Sequence, residues 1–592
     1  MDTRNKSWWW VAALAVTLFL FGCSAGEGGR KPGEAGGAWS SGEMGGAERI
    51  VPSQSRPDVR GVHGAVSAGH PLAAVAGYEV LRRGGNAVDA AVAMAGVLAV
   101  VRPHMNGVGG DAFALILDGG TGEVVGLNGS GRAGALADPA FFAAAGVEEQ
   151  VPEKGALSVS VPGAVAAWAD ALERFGTLSM TEVLEPAIRY AAEGFPVSKR
   201  LGTDMEAGGS GLNDAGRDLF LPGGEAPWPG AILKNPALAE TLTLIAADGK
   251  DGFYRGSPAR SISAYLEREG GYLREADFAA HTSTWVMPLA SEYEGHTILV
   301  MPPNTQGLAQ LQLLGMASRH DLAVRGPGDA DYLHTLIELK KIAFADRNQW
   351  VTDPEFVDIP VEALLDEGYL LDRSGMVDPT RAFSSVLPGI PYSPPGLGPS
   401  PDEIDDSGDT VYLTAVDRWG NAVSWIQSLF QSFGSGILEP ESGVVLQNRG
   451  ALFSLDPAHP NLVAPGKRPY HTLTPMMALR GGDFAFTLGT PGGDGQTQSL
   501  TQILNYLLLF GMTPQEAIEA PRFRSYPGME VAIEDRVPGG ALRELENKGH
   551  ALRIVSGWTA TFGGAQMIYV EPESGTLVVA SDPRREAYGL AF

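Results

Sequence analysis

Cysteine is almost absent from this chain. Among 592 residues there is one cysteine, Cys23. A single thiol excludes disulfide bonds within the chain, and its place near the N-terminus excludes a catalytic cysteine or a cysteine-ligated metal in the body of the protein. The chemistry of the body must therefore rest on other side chains.

Positive charge is also scarce. The sequence has 43 lysine and arginine residues against 69 aspartate and glutamate residues, which gives a formal net charge of -26 and a pI near 4.8. Binding to nucleic acid depends largely on cationic contacts with phosphates. We therefore expect no nucleic-acid partner.

The body of the chain has no apolar run long enough to cross a membrane, which takes roughly 20 residues. The longest candidate, Ala87 to Val101, is shorter and contains Asp89. Because its apolar residues point in nearly all directions around a helix, we expect a buried helix there.

The N-terminus differs from the body. Arg4 and Lys6 precede an apolar run from Trp8 to Phe21, which is the pattern of an export signal. We expect residues 1–22 to be a signal peptide that is not part of the fold.

Cys23 follows that run directly. The stretch "LFGC" resembles the bacterial lipobox, in which the cysteine is lipidated and becomes the first mature residue. Residues 23–56 are rich in Gly, Ala, Ser and Glu, which predicts a flexible tether. We expect an exported protein, periplasmic or at the cell surface, that is attached to a membrane only through this lipid.

Several common catalytic patterns are missing. No G-x-S-x-G elbow is present, and the ten histidines include no H-E-x-x-H spacing. Residues 107–112 fit G-x-G-x-x-A, but a helix precedes them and a strand follows, which is the reverse of a dinucleotide site. We expect neither a metal nor a cofactor.

Helices and strands segregate along the chain. Two helices are predicted from Pro71 to Val101 with a left-handed stop at Gly84, and the middle third is mostly helical. A segment dense in Pro, Gly, Ser and Asp (387–409) then leads into several strands. This order favours an α+β fold over regularly alternating units.

The join Asp409-Thr410 has two interpretations. Threonine is common in strands, so Thr410 can simply open the hairpin "TVYLTAVDRWGNAVSW". If the chain is cut before Thr410, the new amine, with a pKa near ~7.7 to 8.0, can act as base for its own hydroxyl. The residues alone leave both interpretations open.

A set of motifs bears on this choice. The motifs are "GGNAVDAAVA" (84–93), "VPGAVAAWADALERFG" (161–176), "MPPNTQG" (301–307), "FADRNQWVTDPEFVDIP" (344–360), "DRWGNAVS" (417–424), "FGSGI" (433–437), "KRPYHTLTP" (467–475) and "GTPGGDGQ" (489–496). They occur in the order found in the γ-glutamyltransferase family of N-terminal-nucleophile hydrolases, which the chain resembles from about Gly61 to its C-terminus and which favours the cut before Thr410.

The resemblance implies a four-layer αββα sandwich. It also implies a precursor that cuts itself between Asp409 and Thr410 into a large subunit (57–409) and a small subunit (410–592). Thr410 would then be the nucleophile that hydrolyses a small-molecule amide or transfers its acyl group to an amine, without a cofactor.

By the same resemblance, Ser428 stands where the family has a second threonine that supports the nucleophile. Gly492 and Gly493 stand at the glycine pair whose N–H groups form the oxyanion hole. Without the resemblance, a strand hydroxyl and a plain turn would be adequate interpretations of these residues.

The positions that recognise a glutamyl group depart from the family. Arg132 is displaced by two positions from the family's carboxylate-binding arginine, Arg449 replaces a neutral amide, and His471 and Thr472 replace a pair of serines. We expect these four residues to bind the substrate.

The ammonium site of the family is altered further. Phe430 and Leu452 replace an asparagine and an aspartate, and neither side chain can accept a hydrogen bond from an ammonium group. The resemblance favours γ-glutamyl amides such as glutathione as substrates. A glutaryl or other carboxyacyl amide is the alternative, and a non-catalytic solute-binding surface lipoprotein is a hypothesis of another class.

Overall fold

The computed structural model describes Ile50, residues 52–390 and residues 408–592. The expected signal peptide (1–22), Cys23 and most of the expected tether lie outside the described residues, as does most of the segment that precedes Thr410. Export and lipidation therefore stay predictions. No helix of the described ranges combines the length and apolar character that a membrane span requires.

The strands of the described residues run in chain order as follows: β1 Val59–Gly61, β2 Ala65–Ala68, β3 Asp111–Leu117, β4 Val124–Gly129, β5 Phe195–Pro196, β6 Ile232–Leu233, β7 Thr284–Val286, β8 Leu289–Tyr293, β9 His296–Val300, β10 Asp409–Val416, β11 Ala422–Phe430, β12 Leu438–Glu439, β13 Val444–Val445, β14 Met476–Arg480, β15 Asp483–Gly489, β16 Phe523–Ser525, β17 Glu530–Glu534, β18 Ala551–Val555, β19 Gln566–Val570, β20 Leu577–Ser581 and β21 Tyr588–Ala591.

The α-helices are α1 Pro71–Arg83, α2 Ala87–Val101, α3 Pro139–Ala144, α4 Ala164–Phe175, α5 Met180–Glu193, α6 Lys199–Gly208, α7 Asp214–Phe220, α8 Pro236–Asp248, α9 Lys250–Tyr254, α10 Ser257–Arg268, α11 Glu275–Ala279, α12 Gly307–Ala317, α13 Ala330–Trp350, α14 Val361–Leu364, α15 Glu367–Ser374, α16 Gly495–Leu504, α17 Pro514–Glu519 and α18 Gly539–Asn547. A π-helical turn, Asn505–Leu509, extends α16.

Two seven-stranded antiparallel sheets form the centre of the fold. The first has the order β1-β20-β19-β15-β14-β9-β8, and the second has the order β21-β2-β10-β11-β3-β4-β7. Strand β10, which begins at the expected cut, lies inside the second sheet between β2 and β11.

Three hydrophobic cores separate four layers. The side chains of Tyr412 and Met477 belong to the core between the two sheets. On the outer face of the second sheet, Leu98 of α2 packs in the core that contains Trp425. On the outer face of the first sheet, Leu339 of α13 shares a core with Phe486. The predicted αββα sandwich is confirmed.

The helices that cover the second sheet begin and end as the sequence predicts. Helix α1 ends at Gly84, whose φ of 99° is left-handed. Every residue of α2 is buried, and Asn86 and Asp89 form a capping box at its start. The N–H of Ala87 donates to Asp417 in the β10–β11 turn at 2.9 Å. The first turn of α2 thereby holds the hairpin that carries Thr410.

Candidate active site

The hairpin β10–β11 is irregular where it carries the expected cut. Thr410 pairs with Ser428 and Asp409 pairs with Phe430, so Leu429 has no partner on β10. This is the pattern of a β-bulge, which re-aims side chains and often lies next to active sites. The Asp409-Thr410 bond therefore lies at a break in the ladder.

The Ser428 hydroxyl connects the two residues of that bond. Thr410 Oγ1 donates to Ser428 Oγ at 3.1 Å, and Ser428 Oγ donates to the carbonyl oxygen of Asp409 at 2.8 Å. The side chains of Thr410 and Ser428 are both buried. One serine hydroxyl thus contacts the candidate nucleophile and the carbonyl that it would attack.

Two further donors fix the direction of the Ser428 hydroxyl. The Phe430 N–H donates to Ser428 Oγ at 2.7 Å, and Nη2 of Arg449 donates to it at 3.2 Å. Because both groups can only donate, the hydrogen of Ser428 is directed to Asp409. Phe430 has a φ of 82°, a left-handed conformation that bulky residues rarely adopt and that favours a functional constraint at this position.

Arg449 brings the expected substrate-binding residues to the same place. Its buried guanidinium donates to Thr472 Oγ1 at 3.1 Å and lies 4.4 Å from the centroid of the Phe430 ring. A guanidinium over an aromatic face is a favourable cation–π arrangement. The sequence-predicted residues Ser428, Arg449 and Thr472 therefore form one cluster beside Thr410.

His471 contacts a carboxylate that the sequence analysis did not single out. Its Nε2 lies 3.0 Å from Oδ2 of Asp111, which pairs with Ser428 in the ladder between β3 and β11. Burial raises the pKa of Asp111 to about 7, although Arg449 lowers it. Burial, followed by the charge of Arg449, holds the pKa of His471 well below its usual range. His471 is therefore neutral, and the contact is a hydrogen bond.

The glycine pair adopts a backbone that other residues avoid. Gly492 has a φ of 128° and Gly493 a φ of 52°. Neither N–H donates a hydrogen bond to another described residue, so both can point at a ligand oxygen. Nε2 of Gln306 donates to the carbonyl oxygens of Thr472 at 2.6 Å and of Gly493 at 3.2 Å. This amide joins the glycine loop to the Arg449 cluster.

Arg132 is engaged elsewhere. It donates to Glu355 Oε1 at 2.8 Å and to the carbonyl oxygen of Gly466 at 3.0 Å. None of these partners belongs to the cluster around Ser428. A role for Arg132 in substrate binding stays a prediction.

One group of possible metal ligands exists within the described residues, namely His334, Glu338 and His550. His334 Nδ1 and His550 Nε2 are 2.8 Å apart, which is a hydrogen-bond distance. The Lys341 ammonium lies 2.9 Å from Glu338 Oε1 and opposes a cation there electrostatically. We describe this group as a hydrogen-bonded network between α13 and the loop after α18.

Two residues of the site were missed by the sequence analysis. Asp111 is far from His471 in the chain, and Arg585 contacts Asp409 from the C-terminal end with 3.2 Å between Nη1 and Oδ1. Neither has a local pattern that indicates its partner. Only the pairing of distant strands brings them to the site.

Known proteins resemble this chain over nearly its full length. The sequence profile of the gamma-glutamyltranspeptidase family matches residues 73–592. The glutathione hydrolase-like YwrD proenzyme of Bacillus subtilis is 38% identical over 538 residues, which are 88% of this chain and 97% of that protein. The oxamate amidohydrolase proenzyme of Klebsiella pneumoniae is 36% identical over 546 residues, covering 90% of this chain and 98% of that protein.

A solved structure agrees with these relatives. The crystal structure of cephalosporin acylase from Bacillus halodurans superposes with a TM-score of 0.84 at 35% identity and covers 93% of this chain and 99% of that one. Both sequence relatives are named proenzymes, which supports a large and a small subunit from one precursor. The chain belongs to the gamma-glutamyltranspeptidase family and is an enzyme, a hydrolase of the N-terminal-nucleophile type.

Proposed function

We propose that this protein is a self-processing amidohydrolase. In it, Thr410 first cleaves the peptide bond that joins it to Asp409 and then acts as the catalytic nucleophile. The observation that carries the proposal is the hydrogen-bond chain from Thr410 Oγ1 through Ser428 Oγ to the carbonyl oxygen of Asp409. A hydroxyl nucleophile next to a group that orients it is the arrangement used in covalent catalysis.

Self-cleavage begins with attack of Thr410 Oγ on the carbonyl carbon of Asp409. The hydrogen bond from Ser428 polarises that carbonyl. The bond between the Asp409 carbon and the Thr410 nitrogen then breaks, the nitrogen takes up the proton that the hydroxyl loses, and an ester joins the two residues. Water hydrolyses the ester, which leaves a carboxylate on Asp409 and a free amine and hydroxyl on Thr410.

The mature site uses the same hydroxyl on an external amide. The free α-amine of Thr410, with a pKa near ~7.7 to 8.0, takes the proton of its own hydroxyl as the hydroxyl attacks. The Gly492 and Gly493 N–H groups stabilise the tetrahedral oxyanion. The α-amine passes this proton to the nitrogen of the substrate, which leaves as an amine, and water or another amine accepts the acyl group from Thr410.

The acyl group is proposed to carry a carboxylate and no α-amine. Arg449 provides a buried cation in contact with Ser428, and its position over Phe430 disfavours an ammonium group by charge repulsion. Oxamate, after which one relative is named, has a carboxylate and no amine on its acyl side. Relatives named as glutathione hydrolases support γ-glutamyl amides as the second candidate. Since these relatives all bear the names of enzymes, the non-catalytic surface lipoprotein has no support.

A denaturing gel with mass spectrometry of the fragments tests the cut. The wild type is expected to give two fragments, the smaller beginning at Thr410, and Thr410→Ala is expected to remain one chain. Thr414→Ala is the matched control, because Thr414 is a buried threonine of the same strand that bonds to Thr487 instead. A folded wild type that stays uncut would overturn the proposal.

Two anilides that differ only in the α-amine test the acyl group. We expect glutaryl anilide to be hydrolysed with a higher kcat/KM than γ-glutamyl anilide. The truncation Arg449→Met should raise KM for the glutaryl compound about 10- to 100-fold, since it removes a buried charge-assisted contact. A higher kcat/KM for the γ-glutamyl compound would instead favour γ-glutamyl amides as the substrates.

A further inference from the structure

Asp409, the residue on the N-terminal side of the expected cut, is held by an arginine from the other end of the chain. Nη1 of Arg585 donates to Oδ1 of Asp409 at 3.2 Å. The side chain of Arg585 is 8% exposed and that of Asp409 is 17% exposed. This ion pair is largely shielded from water, so the attraction between its charges is screened less than in a surface pair.

The Arg585 side chain is itself fixed in place. Its stem fills the space at Gly564, where an added Cβ would come within 2.8 to 2.9 Å of three of its carbon atoms. The Gly564 N–H donates to Thr490 Oγ1 at 3.0 Å, two residues before Gly492. The arginine that holds Asp409 therefore packs against the loop that supports the oxyanion glycines.

Two further cations interact electrostatically with the same carboxylate, although the protein as a whole is strongly acidic. Burial lowers the pKa of Arg102 and of Lys154, and the charge of Asp409 opposes that shift in both groups. Arg102 has other acidic partners, with Glu586 Oε2 at 2.8 Å. Arg585 is the cation in direct contact with Asp409.

We propose that Arg585 is a positioning residue for self-cleavage, which anchors the Asp409 side chain so that the Asp409 carbonyl carbon faces the Thr410 hydroxyl. Ser428 holds the carbonyl oxygen of Asp409, and Arg585 holds the side chain of the same residue. These two contacts restrain the carbonyl group and the side chain of Asp409 and thereby fix the plane of the scissile peptide. A fixed attack geometry accelerates an intramolecular reaction. This inference rests on the proposed cut before Thr410.

A double-mutant cycle on cleavage rate tests the inference in the full-length precursor. We expect Arg585→Met and Asp409→Asn each to slow cleavage about tenfold or more. The double variant should be no slower than the single ones, because both remove one interaction. Arg585→Lys should recover part of the rate, since it restores a cation without the guanidinium geometry. If the ion pair were purely structural, its loss would change the melting temperature and leave the cleavage rate of the folded precursor unaltered.

The control is Lys250→Met, which removes a more exposed salt bridge, with Lys250 44% and Asp170 15% exposed, and should cleave at the wild-type rate. Folding is compared by melting temperature in the Thr410→Ala background, where no variant can be cut. Cleavage of folded Arg585→Met at the wild-type rate would overturn the inference. So would a double variant that is slowed by the product of the two single effects. If Arg585→Met does not fold, Asp409→Asn and Arg585→Lys decide, because Asp409→Asn must be slow and the rate of Arg585→Lys must lie between that of Asp409→Asn and that of the wild type. A wild type that is not cut before Thr410 instead refutes the proposed function.

Discussion

At the scale of single residues, the hydroxyl of Ser428 connects four groups of the site. Its hydroxyl accepts from Thr410 and donates to Asp409 while the Phe430 N–H and Arg449 hold it from the other side. A serine that only filled space on a strand would need none of these contacts. Its hydroxyl, rather than its size, is what the site requires.

We predict that Ser428→Ala slows self-cleavage about 100-fold or more, the usual scale of a lost hydrogen-bond donor to a developing oxyanion. Ser428→Thr keeps the hydroxyl and suits a strand, so it should cleave within roughly threefold of the wild type. The time course of fragment appearance on a denaturing gel measures both. Cleavage of Ser428→Ala at the wild-type rate would contradict the role given to this hydroxyl.

The oxyanion loop makes a second prediction at this scale. Gly492 has a φ of 128°, so Gly492→Ala must rotate the backbone and turn its N–H away, although the added Cβ has space. In cleaved enzyme, kcat should fall about 10²- to 10³-fold with little change in KM.

Gly482→Ala is the matched control for that loss. Gly482 has a φ of 93° and lies in the turn at the opposite end of β15. It should lower stability through the same kind of backbone strain and leave kcat unaltered. Equal losses of kcat in both variants would show that strain alone, and not the lost donor, is responsible.

At the scale of elements, the β10–β11 hairpin depends on one aspartate. The Asp417 carboxylate accepts from the N–H groups of Trp419 and Asn421 in its own turn and from Ala87 at the start of α2. Local sequence predicted the hairpin and helix α2 separately. The bond between them could not be predicted, because it joins residues 330 positions apart.

We predict that Asp417→Ala lowers the free energy of unfolding by about 1 to 3 kcal/mol, because it leaves the Ala87 N–H buried without its acceptor. Denaturant unfolding in the Thr410→Ala background measures this on an uncut chain. Asp118→Ala is the control, since Asp118 Oδ1 accepts from Gly120 in an exposed turn. A larger loss for Asp118→Ala would contradict the assignment.

The sequence was informative where neighbours in the chain decide the structure. The cap at Gly84, the burial of α2 and the capping box of Thr513 and Glu516 all follow from local pattern. Side-chain partners across the fold could not be predicted in this way. Arg132 bonds to Glu355 and Asp409 bonds to Arg585, and both contacts depend on how distant segments meet.

At the scale of the whole molecule, buried histidines make the protein sensitive to acid. Burial lowers the pKa of His70, His281 and His550 to about 3. The unfolded chain binds protons on these groups near pH 6.5, and the native protein does not. Their contribution to stability is therefore complete above pH 6.5 and is lost as the pH falls towards 3. Asp111, whose raised pKa has the opposite effect, offsets part of this dependence.

We predict that the free energy of unfolding falls from pH 7.5 to pH 5, with a slope of up to about 1.4 kcal/mol per pH unit for each such histidine. Urea unfolding at several pH values measures the slope. His550→Gln, which cannot take up a proton, should make it shallower than in the parent. An unchanged slope in this variant would show that His550 does not contribute to the pH dependence of stability.

The order of strands in both sheets has one more consequence. In the second sheet, β10 lies between β2, which comes from the part before the cut, and β11, which comes from the part after it. In the first sheet, β15 and both of its neighbours come from the part after the cut, whereas β9 comes from the part before it. A chain cut before Thr410 thus consists of two interlaced molecules. After unfolding, the two subunits must associate again before the native structure can form. Refolding therefore becomes a second-order process that fails on dilution. The uncut Thr410→Ala chain is expected to refold in a first-order process, so cleavage before Thr410 would make unfolding harder to reverse.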